Sequence, residues 1–172
     1  EFLRGSGALG HARDLALAAS VHWPQHARVA AAAGELELAF GAFSEARESL
    51  RRALELDPAQ GPAWLRLSYC QRCTAADDPD LMRLRRAWQD AQLALPARIC
   101  AGFGLGKLLD DLDDCAGAAA VLREANALER SQTAWNADAW QAAIESTIAR
   151  PALPALEPAP GFVPVFIVGL PR

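Results

Sequence analysis

Three residues of this chain return at one fixed interval: Ala12, Ala19 and Pro24 recur at i+34 as Ala46, Ala53 and Pro58. A period of that length restricts the fold severely, because each copy must be one supersecondary unit that buries its apolar face only against its neighbours. The clearest copy spans 27–60 and carries Gly34, Gly41, Phe43, Ala46, Leu50, Ala53 and Pro58. Gly34 and Ala46 are expected to let two helices approach closely, with Phe43 and Leu50 filling the gap. Pro58 is expected to end the second helix by removing an N–H and crowding the residue before it. A further copy lies downstream at i+72, where Gly34, Phe43, Ala46, Leu50 and Ala53 become Gly106, Cys115, Ala118, Leu122 and Ala125.

Paired helices at this period resemble the tetratricopeptide repeat. The second offset is two periods plus four, so the copy in between must carry about four extra residues. That copy opens with Trp64 and Leu67 at the W-x2-L positions of the pattern, then departs at Asp77-Asp78-Pro79-Asp80, a turn and helix start with Pro79 suited to the first helical turn. The expected helix over 79–91 is short. The organisation that follows is a partial repeat over 1–26, repeats over 27–60, 61–98 (irregular) and 99–132, and a last helix over 137–149. Trp140, Ile144 and Ile148 share one face of that helix, as in a cap covering the open end of a stack. The expected fold class is all-α, a right-handed superhelix of antiparallel helix pairs with a short strand-like tail at the C-terminus.

Composition agrees with close-packed helices. Hydrophobic residues make up 52% of the chain, much of it alanine. A formal charge of −4, with no long basic block, argues against a nucleic-acid partner. No apolar stretch is long enough for a membrane helix, and four cysteines without secretory context fit the cytoplasm. Cys70 and Cys73 form a C-x2-C, but Cys100 and Cys115 lack partner spacing and His11, His22 and His26 sit at the other end. Cysteines three apart on a helix pack as small hydrophobes, so no metal is expected there. The acidic run Asp110, Asp111, Asp113, Asp114 lacks the glycine and terminal glutamate of a calcium loop; Asp113 or Asp114 is expected to cap a helix, with the others solvated.

Prolines at 151, 154, 158, 160 and 164 mark 150–163 as an extended linker. After it comes Pro164-Val-Phe-Ile-Val-Gly-Leu-Pro-Arg172, a short apolar run entering a glycine-bearing turn. Such a turn can aim backbone N–H groups at an anion. A P-loop is a competing reading, but only the first glycine of G-x4-G-K-[ST] is present.

Residues 164–172 resemble the opening strand and phosphosulfate loop of sulfotransferases. The order of irregular repeats, proline-rich linker and this loop resembles the bacterial tetratricopeptide-repeat sulfotransferases. The resemblance implies that Gly169 and Pro171 form the turn, and that Arg172 lies against the sulfuryl group of 3′-phosphoadenosine 5′-phosphosulfate (PAPS). A fixed cation there would stabilise the charge growing on the departing phosphate. The loop stops at its first step, so this chain is expected to be non-catalytic and to hold no cofactor itself, with PAPS belonging to an intact parent.

The same resemblance implies a concave groove for a protein or peptide partner. Its lining would be Arg28, Ala31, Glu35 and Leu38, then Leu65, Tyr69 and Arg72, then Phe103, Lys107 and Asp110. Tyr69 and Phe103 either face that groove or pack between helices. A stand-alone scaffold is the alternative, with copies associating through the terminal strand or the open repeat ends.

Overall fold

The computed structural model describes residues 8–132 and 136–149. Among these residues every regular element is a helix: α1 Leu9–His22, α2 Ala27–Ala39, α3 Phe43–Leu56, α4 Gly61–Leu67, α5 Pro79–Gln89, α6 Leu95–Asp111, α7 Cys115–Gln132 and α8 Ala137–Ile148. The chain divides into two compact units, Glu1–Ala134 and Trp135–Arg172. No described helix is long and apolar enough to cross a membrane. The tail 164–172 and the linker 150–163 lie outside the described residues.

In the first unit the helices pack mainly on near neighbours. The tightest pairs are α2 with α3 and α6 with α7; α4 lies against α3, α2 and α6, and α5 lies against α6. The two tight pairs are built alike. A Cβ on Gly34 would stand 2.7 Å from Leu50 Cγ, and one on Gly106 would stand 2.6 Å from Leu122 Cγ. Only hydrogen fits at either point, so each glycine sets how closely its two helices approach. The turns match too. Gly41 follows α2 with φ 76° and Asp113 follows α6 with φ 61°. In each, the next N–H reaches back to the helix, Ala42 to the Glu37 carbonyl at 2.9 Å and Asp114 to the Leu109 carbonyl at 3.0 Å. This left-handed ending closes the last carbonyls of a helix and reverses the chain. Asp114 Oδ1 then accepts the Gly117 N–H at 2.9 Å, capping α7.

Phe43 departs from expectation. It is 51% exposed at the start of α3, while Leu50, Ala46 and Ala53 are buried. Repetition marks its position, but at the first turn of α3 the side chain is left half in solvent instead of filling the gap.

The middle of the unit is irregular. Asp57 ends α3 and accepts hydrogen bonds from the Gln60 side chain and the Ala59 N–H, which together hold its carboxyl below the usual range. Helix α4 has seven residues and stops at Leu67, with Trp64 buried and its Nε1–H donating to the Pro58 carbonyl at 2.8 Å. Gly104 of α6 admits both neighbours, since a Cβ there would meet Trp64 O at 3.0 Å and Leu84 Cδ2 at 3.1 Å.

Between α4 and α5 the segment 68–78 has no regular structure, and side chains supply its ties. Lys107 Nζ donates to the Gln71 carbonyl at 3.2 Å and to Asp111 Oδ2 at 2.6 Å. The same Asp111 oxygen accepts the Cys73 N–H at 2.9 Å, and Gln71 donates to Asp78 at 2.8 Å. Asp111 is therefore a tether, not a solvated acid. Cys70 and Cys73 are buried as small hydrophobes, but in this segment and not on one face of a helix.

Helix α5 begins at Pro79, with Asp78 as its cap accepting the Asp80 and Leu81 N–H groups. Asp80 is 2% exposed and takes two cations from α3: Arg47 Nε at 2.6 Å on one oxygen and Arg51 Nε at 2.8 Å on the other. That bond raises Arg51 above the ordinary guanidinium value, although burial works against it. A buried carboxylate needs such partners on both oxygens.

In the second unit, Asn136 caps α8 by accepting the Ala139 N–H at 2.9 Å. No residue of α8 is buried, and Trp140, Ile144 and Ile148 are all exposed.

Candidate functional site

Alanine spacing on two helices makes a broad cleft. Ala12, Ala16 and Ala19 recur at i, i+4 and i+7 along α1, and Ala31 and Ala32 face them from α2. Short side chains bring the backbones close yet leave the surface between them unfilled. Residues of α4 form the remaining wall, with Leu36 and Leu50 at the base. The cleft encloses about 910 Å³, within the range of ligand-binding pockets.

Polar ties hold its walls. Arg66 of α4 pairs with Glu35 of α2 across the cleft. Arg52 Nε donates to the Pro24 carbonyl at 2.8 Å, fixing the turn between α1 and α2 against α3. At the far end of α1 the Arg13 guanidinium lies 5.1 Å from the Phe40 ring centroid.

Arg28, Ala31 and Glu35, expected in a groove, all line this cleft. The remaining residues of that set do not. Leu38 packs half-buried on the core, and Leu65 is half-buried on α4 while its neighbour Arg66 takes the cleft position. Tyr69 is 52% exposed and Arg72 is exposed, both in the irregular segment. Their expected alignment assumes a helix running past residue 70, and α4 ends at Leu67. On α6, Phe103 is half-buried, Asp110 is exposed, and Lys107 is bound to the segment 68–78. Gly169, Pro171 and Arg172 lie outside the described residues.

Sequence reasoning misses the contribution of α1, and with it Gln60, Pro62 and Arg66. The Ala12/Ala16/Ala19 stripe is the signal that could reveal the α1 wall.

A second hollow of about 630 Å³ lies among Leu54, Trp64, Met82, Arg86 and Leu93. Arg83 in its lining pairs with Glu55 at 3.2 Å, and Arg86 and Asp90 also line it.

Three of the four thiols are poor nucleophiles, and the fourth, Cys115, is exposed at the start of α7. Burial pushes Cys70 up to about 11 and raises Cys73 and Cys100 as well. Among the described residues no three His, Cys, Asp or Glu side chains come together as a metal site.

No known protein-family model matches the chain, and no curated protein is significantly similar to it.

Proposed function

We propose that the first unit is a tetratricopeptide-like array, a right-handed superhelix of helix pairs, whose cleft holds an extended segment of a partner protein. One observation carries this reading: Arg28, Ala31 and Glu35, three of the four expected groove positions of α2, converge on the 910 Å³ cleft between α1, α2 and α4, while the fourth, Leu38, packs on the core. The matched Gly34–Leu50 and Gly106–Leu122 contacts, related by the i+72 offset, support the repeat. The irregular middle copy supports a groove confined to the first part of the array, since Lys107 is held on the segment 68–78.

In this reading the array precedes a cytoplasmic sulfotransferase domain and presents an acceptor for sulfuryl transfer from PAPS. The support is the Pro164–Arg172 stretch after its proline-rich linker. Coding sequence beyond residue 172 tests that part directly. Continuation as a Ser-Gly-Thr-Thr-like loop and a long α/β domain is expected, and any other continuation removes the sulfotransferase. The cleft is tested by Ala16→Trp, which fills it: peptide binding measured by fluorescence anisotropy should disappear while helical content stays.

Exposed apolar side chains favour a second reading, association of copies through an end of the array. Val21 is 79% and Trp23 is 60% exposed at the end of α1. If this holds, sedimentation shows concentration-dependent dimers that Val21→Glu with Trp23→Glu abolishes.

A further inference from the structure

We infer that the segment received by the cleft is acidic, with one carboxylate seated on Arg28 and small side chains lying along the alanine walls. The inference rests on the peptide-binding reading and adds the chemistry of the partner.

Charge at the cleft decides the sign. Its lining holds two guanidinium groups, Arg28 and Arg66, one carboxylate, Glu35, and His26. Arg66 is neutralised by Glu35. Arg28 is exposed, and among the described residues no carboxylate pairs with it. Among the described lining residues Arg28 is therefore the guanidinium without a carboxylate partner, in a chain whose formal charge is −4. This guanidinium attracts an anion locally, against the net negative charge of the chain, and the lining offers a basic segment no carboxylate but Glu35, which already has a guanidinium.

The position of Arg28 strengthens the point. It is the second residue of α2, and the positive end of the helix dipole disfavours a cation there. The residue thus gains nothing from its own helix, and an incoming carboxylate relieves both charges together. Size selection follows from the walls. Ala12, Ala16, Ala19, Ala31 and Ala63 line the cleft over buried Leu36 and Leu50, so an extended backbone lies close to helix surfaces, where Gly, Ala, Ser and Val fit better than aromatic residues.

The test is selection from a random twelve-residue displayed library against the full chain, followed by anisotropy with the best fluorescein-labelled peptide. The expected result is enrichment of Asp or Glu among small residues. Affinity should fall about tenfold in Arg28→Ala, as loss of one charge-assisted hydrogen bond requires. In Arg28→Glu the Glu→Lys version of the peptide should become the better ligand. Circular dichroism of each variant confirms the helices.

Peptides that need the cleft, shown by loss in Ala16→Trp, yet carry no acidic bias and ignore Arg28→Glu, overturn this inference and leave the peptide-binding reading standing. Failure to select any peptide sensitive to Ala16→Trp overturns both.

Discussion

Asp113 occupies a backbone position that glycine, as Gly41, holds at the matching earlier turn. A left-handed φ crowds the Cβ of any L-residue, although Asp tolerates it better than most. Asp113→Gly should therefore stabilise the protein, by about 0.5 kcal/mol, and Gly41→Ala should destabilise it by about 1 kcal/mol. Urea unfolding of both variants checks the opposite signs. Much at this scale is legible in the sequence. The close approach at Gly34 can be read because small residues recur there, whereas its direct contact with Leu50 comes from the structure. Phe43 misleads because a period marks equivalent positions and not the direction of a side chain.

At the scale of elements, the helix pairs can be read and the segment between α4 and α5 cannot. Its order comes from Lys107 and Asp111, 36 and 38 residues away from the groups they bind, and local pattern carries no such information. The pH dependence of this tether follows from Asp111. Burial works to raise its carboxyl, but the Lys107 and Cys73 hydrogen bonds outweigh burial and hold it below the ordinary value. A depressed carboxyl contributes stability above the unfolded-state value near ~3.9 and loses it as pH falls through the lower folded value. Asp111→Asn should cost about 1 to 2 kcal/mol at pH 7, with the difference from wild type shrinking below about pH 4. A constant difference down to pH 2 would contradict the tether. The neighbouring thiols give an independent reading of the same segment. At pH 8, iodoacetamide should modify exposed Cys115 and spare Cys70 and Cys73 until denaturant is added, as counted by mass spectrometry.

For the whole molecule, the all-helical class is legible from alanine content and period, and half of the cleft from the groove positions on α2. The other half is hidden because α1 presents no large anchor, only alanines, and because α4 stops short of Cys70. Nearest-neighbour packing also has a consequence for how the molecule comes apart. Linear arrays tend to melt piecemeal, because each helix pair depends only on the next. The bond between Asp80 on α5 and Arg47 and Arg51 on α3 reaches past α4 and joins elements that are not consecutive. It should therefore act as a cooperativity lock, forcing α3, α4 and α5 to open as one. Native-state hydrogen exchange would then show amides of these helices sharing one opening free energy, and Asp80→Ala would split them into separate classes, with α5 exchanging first.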